Sequence, residues 1–207
     1  MSIEKRTFEV AGFEFEERAG RLPVIRGHAA VFHHLSQDLG GFREQVVPGA
    51  FQDSIISDDI RALFNHDPRM VLGRTKSGTL RRAEDQRGLA IEVDPPDTQF
   101  ARDLITSMRR GDISQMSFGF RVAPGGQDWA KDSSGATIRT LKKLSLYDVS
   151  PVTFPAYLGT DVAVRAFEEF TAHERELLEA RAREALKRDN DNLRMRFRHA
   201  LASRRMA

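Results

Sequence analysis

The chain has 207 residues, 40% apolar and 30% charged, with a formal net charge of +2. This suffices for one sizeable core plus an appendage. No window approaches the roughly eighteen apolar residues of a membrane-spanning helix, and no apolar run follows Met1-Ser2-Ile3 as a signal peptide requires. The absence of cysteine excludes disulfides, thiol nucleophiles and thiolate metal sites, and fits a cytosolic-type compartment.

Short β-type stretches punctuated by turn signals fill residues 1 to about 160. Phe8-Glu9-Val10 and Phe13-Glu14-Phe15 alternate apolar and polar side chains, and Gly12 and Gly20 interrupt them. Val24 to Phe32 is a third such stretch. A short helix is expected around Gly49 to Ile55. Ala62-Leu63-Phe64 is a brief apolar run that delivers Asn65-His66-Asp67. Leu80 to Arg82 and Leu89 to Val93 form a strand pair across a turn ending at Gly88. Asp97-Thr98 caps a helix from Gln99 to Arg110, with Phe100, Leu104, Ile105 and Met108 on one side and Gly111 as its stop. Ser117 to Val122 and Leu141 to Val152 complete the β-rich set. The polar, glycine-rich stretch between them reads as a mobile loop or a wide hairpin. Many strands with few helices point to an α+β, mainly β fold, a barrel with helical covers.

A second regime begins near Val164. Phe167, Phe170, Leu177, Leu178, Ala182, Ala185 and Leu186 recur at helical spacing among dense charges. Asp189-Asn190-Asp191-Asn192 breaks the pattern, and Leu193, Phe197 and Leu201 resume it. The positive excess sits in this region, while the preceding 164 residues are close to neutral. The main domain therefore carries no electrostatic footprint for nucleic acid; the arginine-rich end reads either as a contact for an acidic partner or nucleic acid or, more plainly, as a solvated helix terminus.

His66 stands apart among the histidines, because a strand end would hold its imidazole on rigid backbone beside a cleft, as a general base requires. A histidine in a surface turn is the plainer reading. His33 and His34 are adjacent, so on a strand they point to opposite faces and make a poor metal pair. Without cysteine, serine is the nucleophile to look for. Ser114 and Ser117 lie three residues apart and face opposite sides of a strand. Ser117 is preferred: Met116 and Phe118 anchor the other face, and Gly119 leaves room for a substrate backbone to approach. A strand serine bonded to backbone is the plainer reading here too. Asp67, Asp94, Asp112 and Asp148 are candidates to orient the imidazole. Asp148 lies in a strongly β-type run, where an unpartnered carboxylate is costly, and that cost favours it.

Four segments in order complete the pattern: Val47-Pro48-Gly49-Ala50-Phe51, Asn65-His66-Asp67 with Val71-Leu72-Gly73-Arg74, Ser114 through Phe120, and Asp148-Val149-Ser150-Pro151-Val152-Thr153-Phe154-Pro155-Ala156. Together they resemble the prohead (procapsid maturation) serine protease family of tailed bacteriophages, over roughly residues 5 to 160. The resemblance implies a fold related to the herpesvirus assemblins, a β-barrel covered by helices. It implies His66 and Ser117 as base and nucleophile. The family's third member is commonly a glutamate, and that position is Asp148 here, one methylene shorter, so its strand must stand closer. It further implies cleavage of the scaffolding segment of the major capsid protein, and of the protease itself, inside the assembling procapsid in the host cytoplasm. The domains expected are a protease unit over 1–160 and a charged helical tail over 161–207, for docking on capsid or scaffold or removed by self-cleavage. A homo-oligomer, dimer or higher, is expected; no cofactor, metal, membrane or nucleic-acid partner is. The competing reading is a non-catalytic capsid assembly factor.

Overall fold

The computed structural model describes residues 3–9, 12–154 and 161–204. Twelve strands and three helices are defined among them. The chain divides into two compact units, Met1–Val164 and Arg165–Ala207. The first unit is mainly β, with strands β1 (Glu4–Glu9), β2 (Glu14–Arg18), β3 (Arg21–Val31), β4 (Phe42–Val46), β5 (Arg61–Phe64), β6 (Asp67–Arg74), β7 (Leu80–Glu84), β8 (Gly88–Val93), β9 (Gln115–Val122), β10 (Gln127–Lys131), β11 (Thr137–Leu141) and β12 (Leu144–Val152). Helix α1 spans Gln52–Ser57 and α2 spans Gln99–Arg110. Val10, the end of one expected strand, lies outside the described residues.

The strands form three sheets, in the orders β1-β9-β12-β5-β6, β10-β11-β4 and β2-β3-β8-β7. The expected closed barrel is therefore not what the described residues build. Closure needs an unbroken hydrogen-bonded ladder. Here β1 and β6 end the largest sheet, and the link from the end of β3 to β4 is a single bridge between Phe32 and Val46.

The core lies where one face of β9 meets the other sheets. Met116, Phe118 and Phe120 alternate along β9 and are fully buried. Phe118 stacks on Phe120 at 4.9 Å and meets Phe51 edge-on at 5.5 Å. Each such ring contributes on the order of 1.5–3 kcal/mol by leaving water. Helix α2 buries Ala101, Leu104, Ile105 and Met108. Its ends follow from sequence: the Thr98 side chain accepts the Ala101 N–H, and Gly111 closes the helix in the left-handed region, φ 84°. Helix α1 has no side-chain cap of its own. Instead the Glu84 carboxylate accepts the N–H groups of Gly49 and Phe51 at 2.8 and 2.7 Å.

Two sheets are joined by a buried charged quartet that the hydrophobic pattern did not reveal. Arg139 on β11 donates to Glu4 on β1 and Glu44 on β4 at 2.7 and 2.8 Å, and Arg6 donates to Glu44 at 2.7 Å. All four residues are at most 5% exposed. Of the two readings of the glycine-rich stretch after Val122, the hairpin holds: β10 and β11 form one, and β11 then pairs parallel to β4. The single expected strand from Leu141 to Val152 is two, because Lys142 and Lys143 both turn their N–H groups onto the Gly126 carbonyl.

The second unit is helical, the main part of α3 (Asp161–Arg204). At about 1.5 Å per residue its 44 residues extend on the order of 66 Å. The helix runs unbroken through Asp189-Asn190-Asp191-Asn192. Those residues are weak helix formers, but they are not breakers as Gly or Pro would be. Leu177, Leu178 and Leu186 are exposed. No described helix is long and apolar enough to cross a membrane.

Candidate active site

Ser117 sits mid-strand on β9, between Thr7 of β1 and Ser150 of β12 in register. The apolar residues on either side of it take the core face, so the hydroxyl points to the opposite face of the sheet. It is fully buried.

Asp148 reaches that same face through an irregularity in β12. Leu146 pairs with Phe120 and Asp148 with Gly119, leaving Tyr147 as an extra residue. Simple alternation would put Asp148 on the core side with Leu144 and Leu146. The bulge re-aims it, as bulges beside functional sites do. Beyond the bulge, Asp148 and Ser150 share the face of Ser117, and Val149 returns to the core.

His66 occupies the two-residue turn joining β5 to β6. Asn65 and His66 have φ of 52° and 57°, the left-handed pair of a tight hairpin turn. Asn and His enter this region more readily than most non-glycine residues, yet the conformation still costs about 1–2 kcal/mol per residue. The turn is held by the end of β12. Asn65 N–H donates to the Pro151 carbonyl at 3.0 Å, Asn65 Nδ2 donates to Thr153 Oγ1 at 3.1 Å, and Thr153 N–H donates to Asn65 Oδ1 at 2.9 Å.

These placements bring the three residues into one chain of contacts. His66 Nδ1 lies 2.6 Å from Asp148 Oδ2, and His66 Nε2 lies 2.7 Å from Ser117 Oγ. A carboxylate only accepts, so Nδ1 carries the proton and Nε2 accepts from the serine hydroxyl. The side chains of His66 and Asp148 are 7% and 10% exposed, so these bonds form largely out of water, where they are strongest. Such an array can move the serine proton onto the imidazole while the aspartate stabilises the resulting cation.

The other candidates fall elsewhere. Ser114 is exposed ahead of β9. Asp67, next to His66 in sequence, is held by the Arg69 side chain and backbone N–H, which lower its carboxyl to about 2. Asp94 pairs with Arg18, and Asp112 with Arg110. Arg121 places its guanidinium over the Tyr147 ring at 4.8 Å. No group of three potential metal ligands occurs among the described residues. A cavity of about 520 Å³ opens beside Leu22, Val71, Pro95 and Pro96, and none of His66, Ser117 or Asp148 lines it.

The space beside Ser117 differs from the expectation at Gly119. A Cβ built there would lie 2.4 Å from Asp148 Oδ1. The gap left by the missing side chain is filled by the carboxylate rather than left open for a substrate backbone.

Two participants escaped the sequence reading. Ser150 Oγ donates to Asp148 Oδ2 at 2.7 Å, and Asn65 clamps the turn. The signal for Ser150 was present: residues i and i+2 on a strand share a face, so an Asp-x-Ser strand puts carboxylate and hydroxyl side by side.

The sequence pattern of the caudovirus prohead serine protease family matches residues 11–176. The chain belongs to that family. It is 28% identical over 141 residues to the prohead protease of Enterobacteria phage HK97, a match covering 66% of this chain and 57% of that protein. The chain thus spans well under two thirds of that relative's length. A solved structure, the bacteriophage T4 capsid assembly protease, aligns with 74% of this chain and 98% of its own, at 10% identity and a TM-score of 0.49.

Proposed function

We propose that this protein is a serine endopeptidase of procapsid maturation, with Ser117 as nucleophile, His66 as general base and Asp148 as the group that orients His66. The observation that carries this reading is the pair of contacts through which His66 bridges Ser117 and Asp148, at 2.7 and 2.6 Å. Family membership supports the choice of reaction.

In this mechanism His66 Nε2 takes the Ser117 proton as Oγ attacks the scissile carbonyl. The tetrahedral intermediate collapses, the amine leaves with the proton from His66, and Ser117 is left acylated. Water then enters, gives its proton to His66 and releases the acid product, regenerating the hydroxyl. The substrates in this reading are the scaffolding segment of the major capsid protein and the protease itself, inside the assembling procapsid in the host cell. Residues 1–160 form the protease domain, and residues 161–207 dock on capsid or scaffold or are trimmed by self-cleavage. The active form is a homo-oligomer, a dimer or higher. Kinship with the herpesvirus assemblins belongs to the same reading, supported by a mainly β unit that carries two helices.

The test is co-expression with the capsid protein of the same genome, comparing wild type and Ser117→Ala by intact mass. Shortened capsid protein and shortened protease in wild type alone are expected. Equal cleavage by both would remove Ser117 as nucleophile. No cleavage by either would favour a non-catalytic assembly factor.

A further inference from the structure

We infer that Ser150 is a positioning residue for this site: its hydroxyl ties the carboxylate of Asp148 to the backbone of His66 and keeps the two in working register. The inference rests on the proposed roles of His66, Ser117 and Asp148.

Ser150 is fully buried and pairs directly with Ser117 across β12 and β9. A serine hydroxyl has one proton and two lone pairs. Its two neighbours fix how they are used. Asp148 Oδ2, at 2.7 Å, can only accept, so it receives the proton. The His66 backbone N–H, at 3.3 Å, can only donate, so the Ser150 oxygen accepts it. One hydroxyl therefore joins the acid to the main chain of the base.

The consequences differ at the two ends. Asp148 Oδ2 receives two donors, His66 Nδ1 at 2.6 Å and Ser150 Oγ, while Oδ1 packs against the bare Cα of Gly119. The carboxylate is thus prevented from rotating out of line with the imidazole. Hydrogen bonds to a carboxylate are the stronger kind, and productive geometry tolerates little displacement. At the other end, the left-handed backbone of His66 gains an acceptor for its N–H, which steadies a conformation uncommon for any residue but glycine. A hydroxyl that merely satisfied the sheet would affect stability and leave the Asp148–His66 bond unchanged.

The experiment uses the full chain as wild type, Ser117→Ala, Ser150→Ala, Ser150→Thr and Ser150→Cys. The rate of covalent labelling by a fluorophosphonate is followed by intact mass, and the His66 Nδ1 proton is followed by NMR. Wild type is expected to label and Ser117→Ala not to. Ser150→Ala is expected to label about ten- to hundredfold more slowly, the loss that one hydrogen bond to a charged group produces. Its Nδ1 proton resonance is expected to move or broaden. Ser150→Thr, which keeps the hydroxyl, is expected to recover most of the rate. Ser150→Cys, similar in size with a weak donor, is expected to fall between and gives the answer should the alanine variant fail to fold. Labelling of the folded alanine or cysteine variant at the wild-type rate, with an unchanged Nδ1 signal, would overturn the inference while the triad stands. A wild type that labels no differently from Ser117→Ala would overturn the triad reading and this inference with it.

Discussion

Gly119 and Asp148 face each other across β9 and β12, and the carboxylate of one fills the space where the other would carry a side chain. The atom that a methyl group at position 119 would strike is the end of a short side chain, 2.4 Å away, and not backbone. Gly119→Ala is therefore expected to fold, with a loss of about 1–3 kcal/mol, while pushing Asp148 away from His66. Gly88 supplies the contrast. There a Cβ would lie 2.0 Å from the Ala30 carbonyl oxygen, so Gly88→Ala should lower stability more and leave the residual folded protein active. Thermal unfolding and fluorophosphonate labelling of both variants check this. Normal labelling by Gly119→Ala would refute it.

Asp148→Asn keeps the shape of the acid and replaces an acceptor with a donor on one side. The amide is expected to favour the wrong tautomer of His66, and the rate to fall by up to about 10⁴, as in other triads. The measurement is single-turnover labelling at neutral pH. A loss of less than tenfold would mean that Asp148 does not orient the imidazole.

Much of this was legible in the chain, and the exceptions have physical causes. Helix α2 announced itself because Thr98, the apolar spacing and Gly111 all agreed. His66, Ser117 and Asp148 were singled out, but the face on which Asp148 lies was not readable, because a bulge at Tyr147 resets the alternation. Glu4, Arg6, Glu44 and Arg139 look like surface residues in sequence. Their burial depends on pairing between strands far apart in the chain. The hydrogen-bonding role of Asn65 depends equally on Thr153, which lies just past the end of β12.

Asn65→Ala should both strain the turn and remove the two side-chain bonds to Thr153. A loss of roughly 1–3 kcal/mol is expected, with slower labelling of Ser117 because His66 is no longer held. Asn65→Gly restores the backbone freedom alone and should recover stability more than rate. Equal recovery of both would argue that the clamp has no part in placing His66.

Arg139→Met should be severe. Burial opposes the guanidinium charge, yet hydrogen bonding to Glu4 and attraction to Glu44 outweigh it and raise its affinity for the proton above the ordinary value. A raised group stabilises below its unfolded pKa and loses that contribution only as pH rises through the folded one, so this arginine helps at every ordinary pH. Removing it leaves carboxylates buried with fewer partners, at a cost on the order of 3–5 kcal/mol. Denaturant unfolding measures this, and a change below about 1 kcal/mol would contradict it.

Asp59 gives the opposite sign. Hydrogen bonds from Arg74 hold its carboxyl well below the usual carboxylate range. Its contribution is present above the unfolded value and is lost as pH falls through the folded one. Asp59→Asn should therefore flatten part of the acid limb of the stability curve. An acid limb of unchanged steepness would show that the pair contributes nothing.

Strand β1 lies at one edge of the largest sheet, directly against the strand that carries Ser117, while His66 and Asp148 are 82 residues apart in sequence. The three groups therefore assemble only after the chain has been synthesised through β12 and distant segments have paired. Such non-local pairing is slow relative to helix formation. A nascent chain ending before Asp148 holds a histidine and a serine but no means to align them. The order of synthesis thus sets when the three side chains can meet: not before β12 has been made.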